Sequence, residues 1–200
     1  MIKTIIWDFD GVILDSMCVR DWGFEEIFKG YQDKDLEELM EFHSRNGGLS
    51  RYVKIRYFFE EILSIKVTDE KVLELANKFS LLMKKELINK KYLILESLNF
   101  IEENYNAFNF HIASGSDQKE LRFLCEKLNI SKYFESIHGS PEAKNDLVRT
   151  ILETNNLDKA TTCLIGDSVN DYQAAKINNI LFLAYNNTSL NRYNDIKPLY

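Results

Sequence analysis

The chain has 200 residues, 45% of them hydrophobic, which suits one core with a modest insert rather than several domains. Its net charge of −6 argues against nucleic acid or an anionic membrane as the main partner. No apolar run approaches the roughly 20 residues that span a bilayer. The first residues lead straight into a strand without a signal-peptide pattern, so the expected location is cytoplasmic. Cys18, Cys125 and Cys163 are widely spaced and read as reduced thiols; His43, His111 and His138 lack ligand spacing and read as structural residues.

Residues 2–7 form an apolar run that reads as a buried strand ending at Asp8. Asp8 and Asp10 follow two residues apart, and in extended backbone both point to the same side. Two acids crowded there are opposed by electrostatics unless a cation is present. Gly11 allows a sharp turn or a close approach of ligand to backbone. The competing reading is a pair of solvated acids at a surface turn.

Residues 17–90 then read as almost wholly helical. Trp22, Ile27 and Phe28 share one stripe, and Leu36, Leu39, Met40 and His43 continue it until Asn46-Gly47-Gly48 breaks the pattern. Ser50 caps a helix over 51–62, and Asp69 starts another that carries Val72, Leu73, Leu75, Ala76 and Phe79. Some 70 helical residues directly after a strand exceed a crossover helix and imply an inserted subdomain.

From Leu93 helices and strands alternate. The spacing predicts a helix over 93–104, a strand over 108–113 running into Ser114-Gly115-Ser116, and a helix capped by Asp117 and ending at Leu128. A short strand over 134–138, a helix from Lys144 to about 155, a strand over 161–165 ending in Gly166-Asp167, a helix over 170–178 and a last strand over 180–185 follow. The alternation implies a Rossmann-like α/β core in three layers, with a parallel sheet and right-handed crossovers. Ligands bind beyond the carboxyl ends of such strands. Asp8, Asp10, Ser114, Gly115, Asp167 and Lys144 all converge there.

These residue types suit a defined chemistry. Asp8 can act as a nucleophile, and Asp10 can protonate a leaving oxygen and then deprotonate water. Asp8 and Asp167 can hold a hard cation, most naturally Mg²⁺. Asp171 either reaches that metal, directly or through water, or orients its neighbours, or is simply a helix N-terminal acid. Ser114 and the amides of Gly115 and Ser116, placed at a helix start, suit phosphate oxygens. Lys144 either balances this charge or is a solvent-facing lysine. In the insert, Arg51 and Lys54 are three residues apart after Gly47-Gly48; they either touch a substrate's phosphate or acid group or form a solvated basic face. Arg20 is a further candidate.

The set resembles the haloacid dehalogenase-like superfamily, in its phosphatase and phosphomutase branch. Asp8-Phe9-Asp10-Gly11-Val12 is similar to that family's first motif, Ile112-Ala113-Ser114-Gly115 to the second, Lys144 to the third, and Gly166-Asp167-Ser168-Val169-Asn170-Asp171 to the fourth. One departure is that Pro141 precedes Lys144 by three residues, whereas many relatives place the lysine immediately before a Pro-containing turn. The resemblance implies a core of residues 1–15 and 91–200 with a helical cap of residues 16–90, hinged at 15–18 and 89–93. It implies Mg²⁺ held by Asp8, Asp167 and the main-chain carbonyl of Asp10, and a small phosphorylated metabolite, such as a sugar phosphate, as substrate. Dehalogenases lack the second aspartate, so Asp10 favours phosphoryl transfer. The implied activity is hydrolysis through an aspartyl-phosphate; the alternatives are a phosphomutase and a non-catalytic phosphoryl-sensing module.

Overall fold

Strand β1 (Thr4–Trp7) is buried along its whole length, so it must be apolar on both faces. Ile5 and Trp7 join one apolar cluster and Ile6 the other. The same division recurs in β4 (Thr162–Gly166), where Cys163 and Ile165 lie on one side and Leu164 on the other. A sheet with two dry faces needs helices on both, which is the three-layer arrangement of a parallel α/β core. The computed structural model describes residues 1–198 and contains that arrangement. Leu199 and Tyr200, assigned to the core from sequence, lie outside the described residues.

The sheet has five parallel strands in the order β3-β2-β1-β4-β5, completed by β2 (Asn109–Asp117), β3 (Ser136–Ser140) and β5 (Leu181–Ala184). Helices α7 (Lys144–Thr154) and α8 (Val169–Asn178) cover the Ile6 face. Helices α5 (Leu95–Asn104) and α6 (Gln118–Lys127) cover the other. Chain order reverses beside β1, so the carboxyl ends of β1, β2 and β4 surround the crevice where such folds take ligands.

Between β1 and α5 the chain is helical, with α1 (Met17–Ile27), α2 (Asp33–Arg45), α3 (Arg51–Tyr57) and α4 (Asp69–Glu86). Phe24 packs on Phe79 at 4.7 Å between centroids and Phe28 on Phe58 at 4.1 Å. These rings belong to the same apolar cluster as one sheet face. The two connections to the core run side by side. The amide of Asp15 donates to the carbonyl of Tyr92 at 2.7 Å, and that of Ile94 to Ile13 at 3.0 Å.

Four local expectations change. The helix expected over 51–62 ends at Tyr57 and continues as a π-helical turn, Phe58–Ile62, which turns Phe58 and Phe59 inward. Trp22 is 40% exposed, because the buried stripe of α1 is Val19, Arg20, Gly23, Phe24 and Ile27. Leu73 is likewise exposed, outside the Val72, Leu75, Ala76, Phe79 and Met83 stripe of α4. Strand β2 does not stop at Ala113 but runs irregularly to Asp117, with a register shift against β3 between Ser114 and Asp117.

Candidate active site

Asp8 leaves β1 almost fully buried, at 2% exposure. Its Oδ1 accepts a hydrogen bond from the Phe9 amide at 2.7 Å and meets the Lys144 ammonium at 2.7 Å. Lys144, the first residue of α7, is itself buried and also bonds Asp171. The solvent-facing reading of Lys144 is thereby removed. Asp171 closes a capping box at the start of α8: Ser168 Oγ accepts from its amide, and its Oδ2 accepts from the Ser168 amide at 3.0 Å. It is both a helix N-terminal acid and the partner of Lys144.

Asp8, Asp167 and Asp171 place one carboxylate oxygen each within 4.8 Å of one another. Three acids face one ammonium, a deficit of positive charge. Burial, and then the neighbouring Asp171, push the Asp8 carboxyl well above its ordinary range, with Lys144 opposing. The same two causes raise Asp167 to about 7. Oxygen-only donors, crowded and short of positive charge, fit a hard divalent cation such as Mg²⁺. Gly11 makes this approach possible. Its φ is +79°, and a Cβ there would sit 2.1 Å from Asp167 Oδ2.

Asp10 is held differently. Its Oδ1 accepts from Ser16 Oγ at 2.5 Å and Arg20 Nε at 2.6 Å, and its Oδ2 from Ser116 Oγ at 2.5 Å. Burial alone would raise this carboxyl, but Arg20 and the two hydroxyls outweigh it and hold it below its usual range. Arg20, considered from sequence only as a residue that might touch substrate, is thus the partner of the second aspartate.

The expected helix-start site at Ser114 to Ser116 is corrected. Helix α6 begins at Gln118, and Asp117 Oδ1 accepts from the amides of Lys119 and Glu120, occupying its N-terminus. Ser114 is fully buried and its Oγ accepts from the Ser116 amide at 3.1 Å. Gly115 and Ser116, not Ser114, line the cavity above Asp8. A Cβ on Gly115 would lie 2.2 Å from the carbonyl oxygen of Gly48, so this glycine admits the helical insert over the strand end.

That cavity, about 260 Å³, is walled below by Asp8, Asp10 and Asp167 and above by Arg20, His43, Gly48, Arg51 and Lys54. Arg51 and Lys54 are 4% and 3% exposed, so the solvated-face reading does not hold. Arg51 makes a two-pronged pair with Glu120 of α6, Nη1 to Oε2 at 2.5 Å and Nη2 to Oε1 at 2.9 Å. Lys54 Nζ contacts His43 Nδ1 at 2.7 Å. Burial, then the Arg20 charge, lowers Lys54 to about 7, and burial with the Lys54 charge lowers His43 to about 3. Sequence reasoning passed over Glu120 and Ser16, read His43 as structural and used only the amide of Ser116. The partners of Glu120 and Ser116 lie 69 to 106 positions away, so spacing carries no signal for them.

A parallel sheet with an acid cluster, a buried lysine and a helical insert at its carboxyl end is a Rossmann-like α/β fold with a candidate site at its strand ends. The sequence matches the family model described as haloacid dehalogenase-like hydrolase over residues 5–185, and the chain belongs to that family. The fold resembles a β-phosphoglucomutase from Clostridium difficile (TM-score 0.73, 18% identity, 98% of this chain and 90% of that one). It also resembles CbbY from Rhodobacter sphaeroides in complex with phosphate (0.72, 16%, 99% and 90%). A third likeness is the HAD-hydrolase YfnB from Bacillus subtilis bound to magnesium (0.67, 14%, 90% and 87%). No curated protein matches the chain in sequence. Among the described residues no helix is long and apolar enough to cross a membrane.

Proposed function

We propose that this hydrolase is a Mg²⁺-dependent phosphatase of a small phosphorylated metabolite, with residues 1–15 and 91–200 as catalytic core and 16–90 as a cap. The observation that carries the reading is the buried Asp8–Lys144–Asp171 group, with Asp167 beside it and Asp10 two residues on. An Asp8 oxygen attacks phosphorus, and the bond to the ester oxygen breaks. Asp10 gives that oxygen its proton. The Asp10 carboxylate then takes a proton from water, whose oxygen attacks the aspartyl-phosphate and frees Asp8 and inorganic phosphate. The first step needs protonated Asp10, which Arg20 opposes, so that contact has to loosen when substrate binds. Asp8, Asp167, the main-chain carbonyl of Asp10 and Asp171, directly or through water, would hold Mg²⁺, which would return the raised carboxyls to their ionised form and offset phosphoryl charge. Lys144 keeps Asp8 oriented and balances charge. Gly115 and Ser116 face the phosphoryl position, with Ser114 behind them.

The cap closes the cavity through Tyr52, whose hydroxyl donates to Asp117 at 2.8 Å, and Asn170, which donates to the Gly48 carbonyl at 3.1 Å. Closure excludes water. The cavity volume suits a small ester such as a sugar phosphate. The test is phosphate release from an aryl phosphate and a panel of phosphorylated metabolites, with and without Mg²⁺. Metal-dependent release is the expected result, and none across the panel would sink the reading. Isomerisation that requires a bisphosphate activator would instead mark a phosphomutase. A long-lived phospho-Asp8 without turnover would mark a sensing module.

A further inference from the structure

The cap-side wall of the cavity holds three cations, and both arginines already face a carboxylate. Arg51 is the most committed. Both terminal nitrogens of its guanidinium are on Glu120, Nη1 also donates to Ser80 Oγ at 2.7 Å, and its carbon lies 4.5 Å from the Phe79 ring centre. Glu120 comes from the core and is wholly buried. Arg20 divides itself between Asp10 through Nε and Glu120 through Nη1 at 3.2 Å. Lys54 leans on His43, whose Nε2 is 2.9 Å from Asp21 Oδ1. Among the described residues, Arg20 and Arg51 are therefore matched by Asp10 and Glu120, whereas Lys54 contacts a histidine.

We infer that Glu120 withdraws Arg51 from substrate recognition, so that the substrate carries one phosphoryl group on an uncharged, hydroxyl-bearing remainder. A second phosphate or a carboxylate at the cap end would find both arginines already paired with carboxylates. It could recruit Arg51 only by breaking a buried two-pronged ion pair and leaving Glu120 uncompensated, which is strongly unfavourable. The wall instead offers individual donors. Arg20 Nη2 is buried without a partner, and Lys54 retains N–H donors beyond its His43 contact. Such donors suit hydroxyl or carbonyl oxygens, and unpaired buried donors disfavour a remainder that lacks them. The cavity volume of about 260 Å³ suits a small remainder.

This inference rests on the phosphatase reading, and the experiment separates the two. Wild type, Glu120→Gln and the double variant Glu120→Gln/Arg51→Gln are assayed with Mg²⁺ on matched sugar monophosphates, sugar bisphosphates and phosphorylated carboxylic acids. Wild type should favour the monophosphates. Glu120→Gln frees Arg51 and should shift the kcat/KM ratio towards the doubly anionic substrates by about tenfold or more, mainly through KM, as expected for a new charge-assisted contact. The double variant should return the ratio to that of wild type. A wild-type preference for doubly anionic substrates overturns the inference. So does an equal loss on every substrate in Glu120→Gln, which is what a merely structural role produces; both results leave the phosphatase reading standing. If Glu120→Gln does not fold, the double variant decides, since it removes both charges. An unchanged ratio supports the inference, and a selective rise in KM for the monophosphates overturns it. Wild-type inactivity on every phosphate ester removes both readings.

Discussion

The two walls of the cavity solve opposite electrostatic problems. The core wall brings Asp8, Asp167 and Asp171 together around one lysine and leaves them short of positive charge. The cap wall brings Arg20, Arg51 and Lys54 together and pairs the two arginines with Asp10 and Glu120, both supplied by the core. A deficit marks where a further cation belongs. Arginines already paired with carboxylates mark where a further anion gains little. The difference teaches that basic residues around a phosphate-sized cavity do not by themselves imply a second anion in the substrate; their counter-charges have to be counted.

The contrast can be broken most severely at Asp8. On the proposed mechanism Asp8→Asn removes the attacking carboxylate oxygen and should lower phosphate release by at least about 10³-fold. Undiminished turnover in that variant would refute the covalent route. Asp10→Asn should cost about 10²- to 10⁴-fold in kcat. The loss should be greater on alkyl than on aryl esters, since an aryl leaving group has less need of a proton; equal losses would deny Asp10 the acid role. Lys144→Met strips the cluster of its only ammonium. Breaking a buried pair in this way costs about 3–5 kcal/mol, measured as denaturant stability at neutral pH, and a near-neutral result would mean that Lys144 is not holding the acids.

A gentler probe is pH. The Asp167 carboxyl lies at about 7 in the folded chain against 3.8 ordinarily, and Asp8 is raised as well. Folded protein therefore binds more protons than unfolded chain between these values. The stability contributed is fully present below about pH 4 and is lost as pH rises through about 7. A divalent cation offsets that loss, so the Mg²⁺-induced rise in Tm should be greater at pH 8 than at pH 5, by at least about 2–4 °C, equivalent to 1 kcal/mol for a chain of this size. A Mg²⁺ effect independent of pH would contradict the charge deficit. The smallest effect is at the contact between cap and core. Tyr52→Phe deletes the bond to Asp117 and should destabilise by about 0.5–1.5 kcal/mol in thermal or chemical denaturation, while leaving the core wall intact.

What the sequence determined by itself was the core wall and the fold class around it. Alternating strands and helices required a parallel sheet with two dry faces, and Asp-x-Asp with Gly11 placed two acids at the carboxyl end of the first strand. The acids were legible because strand ends in such a sheet converge, so local position implies proximity. The helical nature of residues 17–90 was legible too, though not the π turn that extends α3, nor the exposed side of Trp22, which depend on what packs against each helix. Only the tertiary structure decided the cap wall. Glu120 meets Arg51 across 69 positions and Arg20 across 100, distances at which spacing carries no signal. It also decided that Asp117 rather than phosphate occupies the start of α6, and that Gly115 is a glycine to admit the Gly48 carbonyl. The physical reason is the same in each case. A residue type announces a charge or a missing side chain, but whether that charge is spare or spent depends on partners that folding alone brings within reach.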